Sequence, residues 1–110
     1  MLRGILYETV QADPGGATVR LLPGSPVYQG HFPGYPITPG VCLVQIALEL
    51  IGEMAGQAGL VAAKNIKFTS PVIPEEGMEL RFNLSGMDGN WSVEVYNGEV
   101  LSAKMSLVVE

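Results

Sequence analysis

Two hydrophobic patterns divide this chain, one with a period of two and one that is apolar on nearly every side. Met78, Leu80, Phe82 and Leu84 alternate with Glu79, Arg81, Asn83 and Ser85, the signature of a strand with one buried face. Residues 86–90 supply a turn, after which Trp91, Val93 and Val95 alternate with Ser92, Glu94 and Tyr96. Asn97-Gly98 is a strong two-residue hairpin signal, and Leu101, Ala103, Met105, Leu107 and Val109 complete a return strand. Further strands are predicted over residues 2–10, 17–22 and 60–68. Asp13-Pro14-Gly15-Gly16 turns the first into the second, and Ser70-Pro71 ends the third.

The middle of the chain reads differently. Residues 23–37 carry Pro23, Gly24, Pro26, Gly30, Pro33, Gly34 and Pro36, which predicts an ordered loop. A helix start follows, with Thr38 as N-cap and Pro39 at the first helical position. The helix is expected to run to about residue 55, with Gly56 and Gly59 as stops. Val41, Leu43, Val44, Ile46, Ala47, Leu48, Leu50, Ile51 and Met54 leave it almost no polar face, so it belongs in an interior. Two strands, one buried helix and a strand meander predict an α+β domain whose antiparallel sheet curls around the helix, the hot-dog fold.

Composition narrows the function classes. The 110 residues suit one domain, 1–110, and 47% hydrophobic with 15% charged residues excludes a disordered chain. So apolar a small chain favours an oligomer. The net charge of −5 argues against nucleic acid, whose phosphates require basic surface. An acidic protein partner would need a local patch drawn from Arg3, Arg20, Lys64, Lys67, Arg81 and Lys104. The most apolar stretch is interrupted by Gln45 and Glu49, well short of the roughly 18 residues a membrane span needs. No secretory signal opens the chain, and its one cysteine, Cys42, forms neither an internal disulfide nor a zinc site. A cytoplasmic protein without metal or other cofactor is expected.

Residues 31–41, His-Phe-Pro-Gly-Tyr-Pro-Ile-Thr-Pro-Gly-Val, resemble the signature of the β-hydroxyacyl-acyl carrier protein dehydratases. Tyr28-Gln29-Gly30 before it, residues 66–74 (Ile-Lys-Phe-Thr-Ser-Pro-Val-Ile-Pro) and Asn97-Gly98-Glu99 extend the likeness over nearly the whole chain. The chain is expected to open directly on its first strand, without the N-terminal helical extension usual in that family. The resemblance implies elimination of water from a 3-hydroxyacyl thioester to give the trans-2-enoyl thioester. The carrier would be acyl carrier protein or coenzyme A, and the site would form across a homodimer or a heterodimer of hot-dog chains.

That chemistry has three tasks. A base must take the proton α to the carbonyl, donors must hold the carbonyl oxygen as it gains charge, and an acid must help the 3-hydroxyl leave. His31 matches the family's base, and imidazole suits proton transfer near neutrality. Gly40 matches the position whose backbone N–H faces the thioester carbonyl. The first N–H groups of a helix lack internal partners and its dipole is positive there. Val41 and Tyr35 are expected to line the substrate site.

At the third task the sequence departs from the family pattern. The family carries Glu or Asp fourteen residues after the histidine and Gln four residues later; here these positions are Gln45 and Glu49. A carboxamide does not donate a proton at neutral pH. Glu49, one turn along the same face, is the candidate acid, and enclosure predicts either a partner or a raised pKa for it. Gln45, Glu49, Glu53 and Gln57 alternatively form a solvated polar stripe. Cys42, in the first turn of the helix, is expected to be structural. Three functions remain in view: a dehydratase, a weakly active subunit completed by another hot-dog chain, and a hot-dog thioesterase in which Glu49 directs water.

Overall fold

The computed structural model describes residues 1–30, 34, 36–56 and 59–110. Its elements run β1 (Tyr7–Asp13), β2 (Gly16–Leu21), α1 (Val27–Gly30), α2 (Gly40–Ala55), β3 (Leu60–Phe68), β4 (Glu79–Met87), β5 (Asn90–Asn97) and β6 (Val100–Val109). The six strands form one antiparallel sheet in the order β1-β2-β4-β5-β6-β3, leaving β1 and β3 as its edges. The chain places β3 beside β6 at the far edge, with α2 crossing the inner face between β2 and β3 in sequence.

The alternation seen in the sequence sets the core. Leu80, Phe82, Val93, Val95, Met105 and Leu107 point inward and are buried, and they share one cluster with Leu43, Ile46, Ala47, Leu50 and Ile51 of α2. Burying such side chains contributes about 1.5–3 kcal/mol each, before the entropy of ordering the chain is subtracted. Gly56 ends α2 in the left-handed region, at φ 72°, as its position predicted. Among the described residues no helix is long and apolar enough to cross a membrane.

Four boundaries differ from the sequence reading. The first strand begins at Tyr7, because residues 2–6 form a turn in which Leu6 N–H donates to the Leu2 carbonyl at 2.8 Å. Strand β4 continues to Met87, and Asp88-Gly89 alone makes the hairpin; both have positive φ, 53° and 79°, the pairing that a type I′ turn requires. The next hairpin pairs Asn97 with Val100, so Gly98-Glu99 form its loop, one residue later than expected. The proline-rich loop contains a single helical turn, α1.

The helix start is also corrected. Pro39, at ψ 142°, is the N-cap of α2, and Gly40 is the first helical residue. Thr38 does not cap, because its hydroxyl is paired with Tyr28 Oη at 2.8 Å while its N–H donates to the Val72 carbonyl at 2.8 Å.

Candidate active site

The N-terminus of α2 opens on a cavity of about 350 Å³ lined by Thr38, Gly40, Leu43, Phe68, Thr69 and Val72. The Pro39 carbonyl accepts from the N–H groups of Cys42 and Leu43, at 2.9 and 3.3 Å. Among the described residues, the N–H groups of Gly40 and Val41 donate to no acceptor, the free donors expected of a first helical turn. The ring of Phe68, at the end of β3, lies so close to Gly40 that a β-carbon there would stand 2.5 Å from Cζ. Phe68 is nevertheless 53% exposed, and Val41 is 73% exposed.

The loop before this helix is fastened at both ends. Tyr28 in α1 and Thr38 are buried, and their hydroxyls form one hydrogen bond across the segment that contains His31. Burial pushes the Tyr28 phenol upward, outweighing the hydrogen bond to Thr38. Burial also raises the Cys42 thiol above its ordinary value.

Further along α2, Gln45, Leu48, Glu49, Gly52 and Glu53 line a second cavity of about 410 Å³ with Met1. Glu49 is 7% exposed and accepts four hydrogen bonds. Oε1 receives Arg3 N–H at 3.0 Å and Tyr7 O–H at 3.0 Å. Oε2 receives Leu2 N–H at 2.8 Å and Gln45 Nε2–H at 2.9 Å. The turn at residues 2–6 is therefore wrapped on this carboxylate, and the Arg3 guanidinium adds an ion pair to Glu53.

The expectation of a raised Glu49 pKa is overturned. Burial alone would push the carboxyl up, but the donors from Leu2, Gln45, Arg3 and Tyr7 outweigh it and hold it below its ordinary 4.5. The partner, rather than the perturbed acid, is what the structure supplies. Burial and the neighbouring carboxylate drive the Tyr7 phenol strongly upward. The polar-stripe reading fails for Glu49, which is buried, and holds for Glu53, which is exposed.

His31 and Tyr35, predicted as base and substrate contact, lie outside the described residues, as does Gln57 of the stripe. Gln45 and Glu49 share one cavity, whereas Gly40 faces the other. Glu49 lies nine positions along α2 from Gly40, a rise of roughly 13 Å. Sequence reasoning missed Phe68, Tyr7 and the Tyr28–Thr38 pair. Of the six basic residues, three share one face: Lys67 faces Lys104 across the β3–β6 pair and Lys64 lies opposite Ser106, all three exposed, with Glu94 of β5 on the other side of Lys104.

The model of the ApeI-like family, described as ApeI dehydratase, matches residues 8–106. This chain belongs to the ApeI-like dehydratases. The recognition made from residues 31–41 is borne out at the level of the dehydratase relatives. A 3-hydroxyacyl-[acyl-carrier-protein] dehydratase FabZ of Campylobacter concisus is 35% identical over 101 residues, covering 76% of this chain and 68% of that protein. Its counterpart in Geotalea uraniireducens is 32% identical over 114 residues, covering 89% and 79%. Among solved structures, the ApeI:P dehydratase heterocomplex of Xenorhabdus doucetiae matches with a TM-score of 0.71 at 17% identity, over 94% of this chain and 96% of that one. The pyran synthase domain from module nine of the sorangicin pathway matches with a TM-score of 0.70 at 20% identity, over 98% and 40%. These likenesses carry the fold, and the expected hot-dog architecture stands.

Proposed function

We propose that this dehydratase-family chain eliminates water from a 3-hydroxyacyl thioester to give the trans-2-enoyl thioester, without a cofactor, at a site shared between two hot-dog chains. The observation that carries the reading is the unclaimed Gly40 N–H at the start of α2, inside the dehydratase-like motif. An anion forming on the thioester oxygen would gain that donor and the positive end of the helix dipole. Val41, exposed on the same turn, and Tyr35 would contact the acyl chain or its carrier.

His31 takes the C2 proton. Gln45 holds the 3-hydroxyl by hydrogen bonding, because its carboxamide lines a cavity and, with Nε2 turned to Glu49, its oxygen accepts from no described residue. Glu49, held ionised by four donors, has no proton to give near neutrality. The imidazolium formed at His31 is the remaining proton source: C2–H and C3–O break, and the departing hydroxide takes that proton to leave as water.

The separation of Gly40 from the Gln45 cavity supports a site built from two chains. So does β3, an open edge whose Val61, Ile66 and Phe68 are exposed. The partner is a second copy of this chain or a related hot-dog chain. Lys64, Lys67 and Lys104 give an otherwise acidic protein a basic face for an acidic acyl carrier protein, with a coenzyme A thioester as the other carrier. Cytoplasmic residence follows from such partners.

The test is incubation of the purified protein with 3-hydroxyacyl thioesters, following enoyl formation and free thiol together. Enoyl product without thiol is expected; thiol release alone would make the chain a thioesterase. One observation favours a partner-dependent subunit as the second reading, namely the carboxamide at the position where the family carries its acid. On that reading the wild type is nearly inactive alone, and Gln45→Glu with Glu49→Gln restores turnover.

A further inference from the structure

A carboxamide has two unlike ends, and nothing in α2 itself decides which one meets the cavity. Rotation of the Gln45 amide would exchange an acceptor for two donors with almost no change of shape. Glu49 removes that freedom. Its ionised carboxylate only accepts, so the Gln45 nitrogen must face it, and Nε2 does so at 2.9 Å. The reversed amide would set oxygen against oxygen.

Glu49 is itself fixed. Arg3 N–H and Tyr7 O–H occupy Oε1, and Leu2 N–H shares Oε2 with Gln45. Two of these donors are backbone groups, which cannot turn away, and Tyr7 is fully buried. The carboxylate thus sits in a socket made by residues 2–7, and its last acceptor site is aimed along α2 at Gln45. Among the described residues the Gln45 oxygen accepts no hydrogen bond, and Gln45 lines the cavity of about 410 Å³.

We propose that Glu49 is a positioning residue that sets the handedness of the Gln45 carboxamide, so that its oxygen serves as an acceptor for a hydroxyl on the substrate. This rests on the reading of Gln45 as the group that meets the 3-position. An acceptor there selects the oxidation level of the acyl chain. A 3-hydroxyacyl thioester donates to it, whereas a 3-oxoacyl thioester sets a carbonyl oxygen against it. The device thereby distinguishes two ligands that differ by two hydrogens and hardly at all in size. One well-made hydrogen bond against one repulsive contact corresponds to about 10-fold or more in relative affinity.

The experiment compares binding of 3-hydroxyacyl-CoA and 3-oxoacyl-CoA of equal chain length in a His31→Ala background, where turnover is blocked. Glu49 is then replaced by Leu, and separately Tyr7 by Phe, which removes a donor from Oε1 but leaves the Gln45 bond. The expected result is a preference of about 10-fold for the hydroxy ligand, retained in Tyr7→Phe and reduced to about 2-fold in Glu49→Leu. A folded Glu49→Leu protein that keeps the full preference would overturn the positioning role. The side-chain amide of Gln45, assigned in nuclear magnetic resonance spectra by its loss in Gln45→Met, gives a readout that needs no stable Glu49 variant. A single locked orientation with one slowly exchanging N–H is expected in the unsubstituted chain, and a freely rotating amide would overturn the proposal. A locked amide with no ligand preference would show instead that Gln45 does not meet the 3-position, which defeats the inference through the reading beneath it.

Discussion

The Phe68 ring occupies the space where a side chain at residue 40 would begin, with Cζ, Cε2 and Cε1 at 2.5, 2.6 and 2.9 Å from an ideal β-carbon. The glycine is thus explained by a neighbour within the protein, with no ligand required. It also ties the open edge strand β3 to the first turn of α2, where the carbonyl-binding N–H is proposed.

Gly40→Ala must therefore push an aromatic ring aside. Overpacking in a closed core costs about 1–3 kcal/mol, but Phe68 is half-exposed and its ring can swing outward. Denaturant unfolding should therefore show a loss at or below the lower end of that range. Adding Phe68→Ala opens the space, so the double variant should lose less than the two single losses combined. Strict additivity would contradict the contact.

The Tyr28–Thr38 hydrogen bond fastens the two ends of residues 29–37. Tyr28→Phe leaves the buried Thr38 hydroxyl without that partner, at a cost of about 1–3 kcal/mol. Turnover should fall more than substrate affinity, because His31 lies within the fastened segment. Thr38→Val in the Tyr28→Phe background should recover part of the stability, measured by thermal unfolding. An unchanged melting temperature in Tyr28→Phe would contradict the account.

Two carboxyl groups fix the behaviour in acid. Hydrogen bonds from Arg81 and Gly15 hold Asp13 at about 2 rather than 3.8, and Glu49 lies below its ordinary 4.5. A carboxyl whose folded pKa is lowered stabilises the fold above its unfolded value and loses that contribution as pH falls through the folded one. Unfolding free energy should therefore be level above the unfolded carboxyl range and decline from there towards about pH 2. Glu49→Leu should flatten part of that decline. A slope indistinguishable from wild type would show that the four donors do not favour the ionised form.

Light scattering at micromolar concentration should give the mass of two chains if β3 is a shared edge. Ile66→Glu, on that strand, should shift the protein towards one chain and abolish turnover together. A stable, fully active monomer would contradict the two-chain site.

Much of this architecture was legible because each pattern had one physical solution. Alternation through residues 78–85 and 91–95 admits only a half-buried strand, and a helix apolar on all sides admits only an interior. The start of the chain was misread because Leu2, Ile5 and Leu6 are as compatible with a turn as with a strand. What selects the turn is Glu49, more than forty residues away. The same long-range pairing hid the state of Glu49. A lone carboxylate on an apolar helix signals a buried partner or a perturbed acid alike, and the deciding donors are backbone N–H groups that no residue type announces. Thr38 was read as a cap because its local sequence fits one, but Tyr28 claims its hydroxyl first.

The central claim is that this chain moves the C2 proton of an acyl thioester through His31. It is tested most directly by running the reaction backwards in deuterium oxide, adding an enoyl thioester to the purified protein and locating deuterium by mass spectrometry and nuclear magnetic resonance. The account predicts a 3-hydroxyacyl product carrying deuterium at C2, formed by the wild type and not by a folded His31→Ala variant. Free thiol with no deuterium at C2, or undiminished hydration by His31→Ala, would contradict it.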